Sequence, residues 1–147
     1  MHYCSGEVPV DNIGKIRERA GIAAVEFALI APLLVLLLVA VLEWGWLFYN
    51  LHEVTGAARR GARIGIRPYA TNAECLDAIA GVMNAAGFGD TGYTVTFSPA
   101  DVSSAYTGGP LQVEISVPYQ QLALTGGAVV PVPDNLHASV TMAKEGP

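Results

Sequence analysis

The chain has 147 residues, 52% of them hydrophobic and 14% charged, with a formal net charge of −5. A soluble domain of ordinary composition carries roughly 25% charged residues, so this length and balance leave room for one membrane anchor and one small domain. The acidic excess argues against general nucleic-acid binding, because neutralising phosphates requires an overall or local basic surplus.

In chain order, a basic flank (Lys15, Arg17, Arg19) precedes an unbroken apolar run, Phe27 to Leu42, with no charged or hydrogen-bonding side chain. A helix buried in a soluble protein usually shows a polar stripe, and this run shows none. A cleaved secretory signal would have a shorter apolar region and small residues at a cleavage site, whereas this run ends in Leu42-Glu43-Trp44-Gly45-Trp46. A retained transmembrane helix fits better. The run alone spans roughly 24 Å at about 1.5 Å per residue, and its flanks extend it to the usual hydrocarbon thickness. The predicted transmembrane portion is therefore about 23–46. Trp44, Trp46, Phe48 and Tyr49 form an aromatic belt at one interface. Arginines flank the helix on both sides, so charge alone does not orient it. The short N-terminal flank and the domain-like remainder favour an N-in, C-out arrangement.

Glu26 stands at the start of the membrane run. An ionisable group in a transmembrane helix costs on the order of 2.5–3.5 kcal/mol even on the permissive insertion scale, so it calls for a partner or a role. One reading has it reaching the headgroups near the helix start, where the helix dipole favours negative charge. Its neighbours supply another. Gly21-Ile22-Ala23-Ala24-Val25-Glu26-Phe27 resembles the processing site of type IV pilin precursors. That resemblance implies cleavage by a prepilin peptidase between Gly21 and Ile22, at a glycine whose backbone is free to extend. It also implies that Glu26 and Phe27 take part in recognition, with Glu26 pairing with the new amine and setting subunit register.

From Arg19 to Arg63 the chain resembles the TadE-like family, minor pilins or pseudopilins of tight-adherence pilus assembly. The matching features are Gly21, Val25-Glu26-Phe27-Ala28, Pro32, Glu43-x-Gly45 and Ala57-Ala58-Arg59-x-Gly61-Ala62-Arg63. Trp44 and Trp46 depart from the pattern, standing where a smaller aromatic and a basic residue are expected. The resemblance implies a structural, non-enzymatic subunit whose partners are a prepilin peptidase, other pilins and pilus-assembly proteins of the bacterial inner membrane. It implies neither a cofactor nor a small-molecule substrate. The alternative is an unprocessed bitopic membrane protein whose outer domain binds an envelope partner or ligand.

Beyond the membrane the helical pattern continues to Gly65, which makes Ile22 to Gly65 roughly 66 Å of helix. Arg67-Pro68 should end it, since a residue before proline disfavours helix. Val54, Ala57, Ala58, Gly61 and Gly65 line up as a small-residue strip whose spacing permits close helix approach, packing either on the chain's own sheet or on another subunit. Arg59, Arg63 and Arg67 follow one another on a different face, facing headgroups, an acidic neighbour or solvent. Glu43, roughly 25 Å along the axis from Glu26, reads as an interfacial residue marking the outer boundary.

Thr71-Asn72-Ala73-Glu74 is a capping box, predicting a second helix over Ala73 to Ala86 that stops at Gly87. Strands are predicted at Tyr93–Phe97, Leu111–Val117 and Leu136–Ala143. In the second, Leu111, Val113, Ile115 and Val117 alternate with polar residues, as in a half-buried strand. The Gln120 to Asn135 connection is long and reads as mobile or interactive. The expected fold is thus α+β and pilin-like: a leader or cytoplasmic segment (1–21), a TadE-like long helix (22–66), and an extracytoplasmic domain (67–147) with a second helix and about three antiparallel strands. His2, His52 and His137 are scattered, and Cys4 and Cys75 lie on opposite sides of the apolar run. Neither set suggests a metal site, a disulfide or a catalytic constellation, and Cys75 reads as a small buried core residue.

Overall fold

The computed structural model describes residues 10–126 and 130–146. The fold is α+β, in the order long helix α1 (Val10–Gly65), helix α2 (Asn72–Ala85), strands β1 (Thr94–Ser98), β2 (Pro110–Pro118) and β3 (Asn135–Ala143). Short 3-10 turns at Val102–Ser104 and Tyr119–Gln121 precede and follow β2. The chain divides into two units, 1–39 and 40–147, so the α/β unit takes in α1 from Ala40 onward.

The first unit is helical from Val10, upstream of the start expected at Ile22. The sequence explains the difference: Lys15 to Ala20 is rich in residues of good helix propensity, and no proline between Val10 and Ile22 stops the helix. Pro32 lies inside α1. Residues Ile22 to Leu38 are solvent-facing for the most part, with Leu29 76% exposed. The helix is long and apolar enough to cross a membrane, and none of its most apolar stretch is buried.

The second unit is an antiparallel meander, β1-β2-β3, packed against α1 and α2. The alternation in β2 sends Leu111, Val113, Ile115 and Val117 into the core and leaves Gln112, Glu114 and Ser116 partly exposed. Register sets Ile115 opposite Val95 on one side and Ala138 on the other. Ile79 and Met83 of α2, Phe88, and Leu47, Val54, Ala57, Ala58 and Ala62 of α1 complete this core.

Local signals determine the ends of α2. The Thr71 side chain accepts from Glu74 N while Glu74 Oε2 accepts from Thr71 N at 2.9 Å, a reciprocal capping box. At the other end Gly87 takes φ +83°, and the Phe88 N–H returns to the Met83 carbonyl at 2.8 Å. Between the helices Tyr69 adopts φ +63°, in a turn closed by Ala70 N donating to Arg67 O at 3.3 Å.

The C-terminal end of α1 is held by the end of β3. Buried Lys144 donates from Nζ to the carbonyls of Gly65 (2.8 Å) and Val102 (3.3 Å). An ammonium at this position also complements the negative end of the helix dipole. Cys75 is fully buried and unpaired beneath this point. Burial, followed by the Glu74 charge, pushes its thiol above the ordinary range, with Lys144 opposing. Because the thiolate is the nucleophile, Cys75 in the folded full chain at pH 8 should resist iodoacetamide and become labelled once urea unfolds the domain. Equal labelling rates in the two states, read by peptide mass, would contradict this packing.

Candidate functional site

Two regions gather the candidate residues: the head of the apolar helix and the part of α1 that packs within the α/β unit. At the first, Gly21, Ile22, Glu26 and Phe27 all lie exposed on α1, with Ile22 62% and Phe27 66% accessible. Gly21 is helical, whereas cleavage would require extended backbone at that bond. A methyl group added at Gly21 would meet nothing within 4 Å.

At the second region the small-residue strip is turned into the chain's own domain. Val54, Ala57, Ala58 and Ala62 are fully buried in the main core. A Cβ on Gly61 would stand 2.5 Å from Ile79 Cδ1, and one on Gly65 would stand 2.5 Å from Leu111 Cδ2 and 3.2 Å from Cys75 Sγ. Helix-to-domain approach at these glycines is therefore closer than any side chain permits. The arginines Arg59, Arg63 and Arg67 face outward.

The strip continues toward the apolar end of α1 at alternating steps of four and three residues, through Asn50 and Leu47 to Glu43, all of them buried. Glu43 is therefore not simply an interfacial boundary residue. It is fully buried, and its carboxylate accepts from Leu124 N (3.1 Å), Thr125 N (3.0 Å) and Thr125 Oγ1 (3.0 Å). One helical turn on, Trp46 donates from Nε1 to Leu122 O at 2.7 Å. These contacts hold the first part of the connection between β2 and β3 against α1, so Leu122–Thr125 is a docked segment. A buried carboxylate is tolerable only when hydrogen-bonded, and here the backbone of a distant loop supplies the donors.

Two further polar groups are buried among the described residues without a partner: Asn50 Nδ2 and the Tyr119 hydroxyl. Burial, and then the Glu43 charge, push the Tyr119 hydroxyl above the usual phenol range. The stripe thus carries a polar group at Glu43 and at Asn50, two turns apart. Local pattern does not reveal them, because Glu43 directly follows the apolar run and the stripe it belongs to lies beyond it. The four-and-three spacing from Gly61 back through Val54 and Leu47 was the available signal.

Elsewhere, Arg60, Arg67, Glu74 and Asp77 line an open depression of 540 Å³ that brings both charge signs together. Among the described residues no three His, Cys, Asp or Glu side chains converge as metal ligands would. His137 and Glu114 meet at 3.8 Å on the exposed sheet face, a surface pair of little energetic weight.

Searches of curated proteins and of solved structures gave no match to the chain. A family model described as TadE-like protein matches residues 21–63, from Gly21 through most of the small-residue strip, and over those residues the chain is similar to that family.

Proposed function

We propose that the chain is a structural minor pilin of a tight-adherence, type IV-like pilus. In this reading it is anchored in the bacterial inner membrane by α1, with the α/β unit outside, and is processed by a prepilin peptidase between Gly21 and Ile22. One observation carries the reading: the TadE-like match begins at Gly21, with Glu26 five residues on, at the head of a helix able to cross a membrane. After cleavage the Ile22 amine gives Glu26 a cationic partner close by, or one on a neighbouring subunit, which offsets the cost of a carboxylate in the apolar helix. Further partners are other pilins and pilus-assembly proteins, engaged through the exposed apolar face of residues 22–42. The role is one of assembly, with no chemistry at the site itself.

A second reading, an unprocessed bitopic membrane protein whose outer domain binds an envelope partner, draws support from α1 being helical through Gly21. The two separate cleanly by experiment. Protein recovered from native membranes should begin at Ile22 by intact mass and N-terminal sequencing. Gly21→Val should leave the precursor uncleaved and abolish assembly, while the folding of the α/β unit is unchanged because the position is open. A wild-type chain that retains Gly21 in a host with active peptidase would remove the pilin reading.

A further inference from the structure

The docked segment Leu122–Thr125 lies level with the end of the apolar run. Its two backbone N–H groups reach the carboxylate of Glu43, the residue immediately after Leu42, and its Leu122 carbonyl is held by Trp46. Around the same stretch of α1 the side chains that do not face the domain are large and apolar and remain exposed. Val41 and Leu42 are 62% and 65% accessible, Trp44 45%, Phe48 59% and Tyr49 52%. Trp44 lies against Phe48, and Trp46 stacks on Tyr49 at 5.4 Å between ring centres. Leu124 extends this collar from the domain side, 60% exposed. The sequence around it matches such a location: no charged residue occurs between Glu114 and Asp134, which is unusual for a surface connection in an acidic chain.

We propose that Leu122–Thr125 is a second membrane-contacting element, which places Leu124 in the lipid interface beside the aromatic collar and seats the α/β unit directly on the bilayer. The occupant of this exposed apolar surface is phospholipid, because the surface is continuous with the helix that enters the membrane and carries the amphipathic aromatics that favour the headgroup region. Glu43 makes the arrangement affordable in physical terms: its carboxylate is shielded from lipid by the segment, and it satisfies backbone donors that would otherwise face an apolar medium. The proposal rests on the membrane-anchor reading of α1 and adds a contact made by the domain itself.

The test uses the full chain with Cys4→Ser and Cys75→Ala, carrying a single cysteine labelled with the polarity-sensitive dye NBD. The labelled positions are Leu29→Cys in the apolar run, Leu124→Cys, and Thr107→Cys near the Lys144 end of the domain. The protein is reconstituted at low density into phosphatidylethanolamine–phosphatidylglycerol vesicles with or without doxyl-labelled lipid. The Leu124 probe should be blue-shifted and quenched at least threefold more than the Thr107 probe, more strongly by shallow than by deep doxyl groups. If Leu29 is quenched while Leu124 behaves like Thr107, the proposal fails and the anchor stands. If Leu29 is also unquenched, the anchor reading fails with it. A blue-shifted Leu124 probe that lipid does not quench, and that responds to protein density instead, would assign the surface to another protein chain and overturn the lipid contact. Native Trp44 and Trp46 fluorescence against brominated lipid, in the chain without substitutions at Leu124, checks that labelling has not displaced the collar.

Discussion

Glu43→Ala should release the Leu122–Thr125 segment from α1 and destabilise the α/β unit by about 3 kcal/mol, the range expected when buried donors to a charged acceptor lose their partner. The substitution removes the acceptor of all three hydrogen bonds and leaves two backbone N–H groups facing an apolar helix. Removing a buried carboxylate also removes its desolvation cost, which limits the loss. Glu43→Gln separates the two terms. It preserves shape and one acceptor oxygen, but turns an amide NH2 toward either Leu124 N–H or Thr125 N–H, so an intermediate loss is expected. Trp46→Phe, which gives up the bond to Leu122 O and keeps a smaller ring against Tyr49, should cost least. Thermal unfolding of the full chain in detergent measures the order, and limited proteolysis between residues 119 and 134 localises it. Cleavage there should accelerate in Glu43→Ala well below the melting temperature. An alanine variant with wild-type melting and an equally resistant connection would show that the carboxylate does not hold the segment.

That a glutamate at the end of an apolar run should hold a loop so distant in sequence was not legible from local pattern. Its partners are Leu124 and Thr125, backbone donors with no residue-type signature. Features whose cause is local were legible. The Thr71–Glu74 box, the stop at Gly87 and the alternation of Leu111 through Val117 depend on neighbours within a few residues. The predicted strands accordingly agree with those observed to within a residue at each end. The start of α1 was not legible in the same way. Gly21 marked a processing boundary by resemblance, and a processing boundary need not coincide with a structural one. Lys144 carries no local signal for the same reason as Glu43: its acceptors are main-chain carbonyls far away in sequence.

The small-residue strip illustrates how spacing identifies a packing surface without identifying its partner. Ala57, Ala58, Gly61 and Gly65 marked a face built for close approach, and the structure turns that face onto α2 and the sheet. Glycine-to-alanine substitutions along α1 should therefore change stability in opposite directions. Gly56 is exposed and a Cβ there meets nothing within 4 Å, so Gly56→Ala should stabilise by up to about 1 kcal/mol through helix propensity. At Gly61 the new methyl falls 2.5 and 2.6 Å from Cδ1 and Cγ1 of Ile79, itself fully buried, so the helices must separate or Ile79 must leave its position. At Gly65 it is confined by Leu111, Cys75 and Val102 together. Overpacking of this kind costs about 1–3 kcal/mol, which outweighs the propensity gain, and valine at either position should prevent the domain from forming. Thermal melts of the purified full chain in detergent distinguish this from an intersubunit role. A strip reserved for another subunit would let Gly61→Ala and Gly65→Ala melt like Gly56→Ala and would show its defect only in assembly. Under the proposed pilin role, a defect already present in the isolated chain would assign contacts with other subunits to the exposed apolar face of residues 22–42 and the outward arginines, not to the strip.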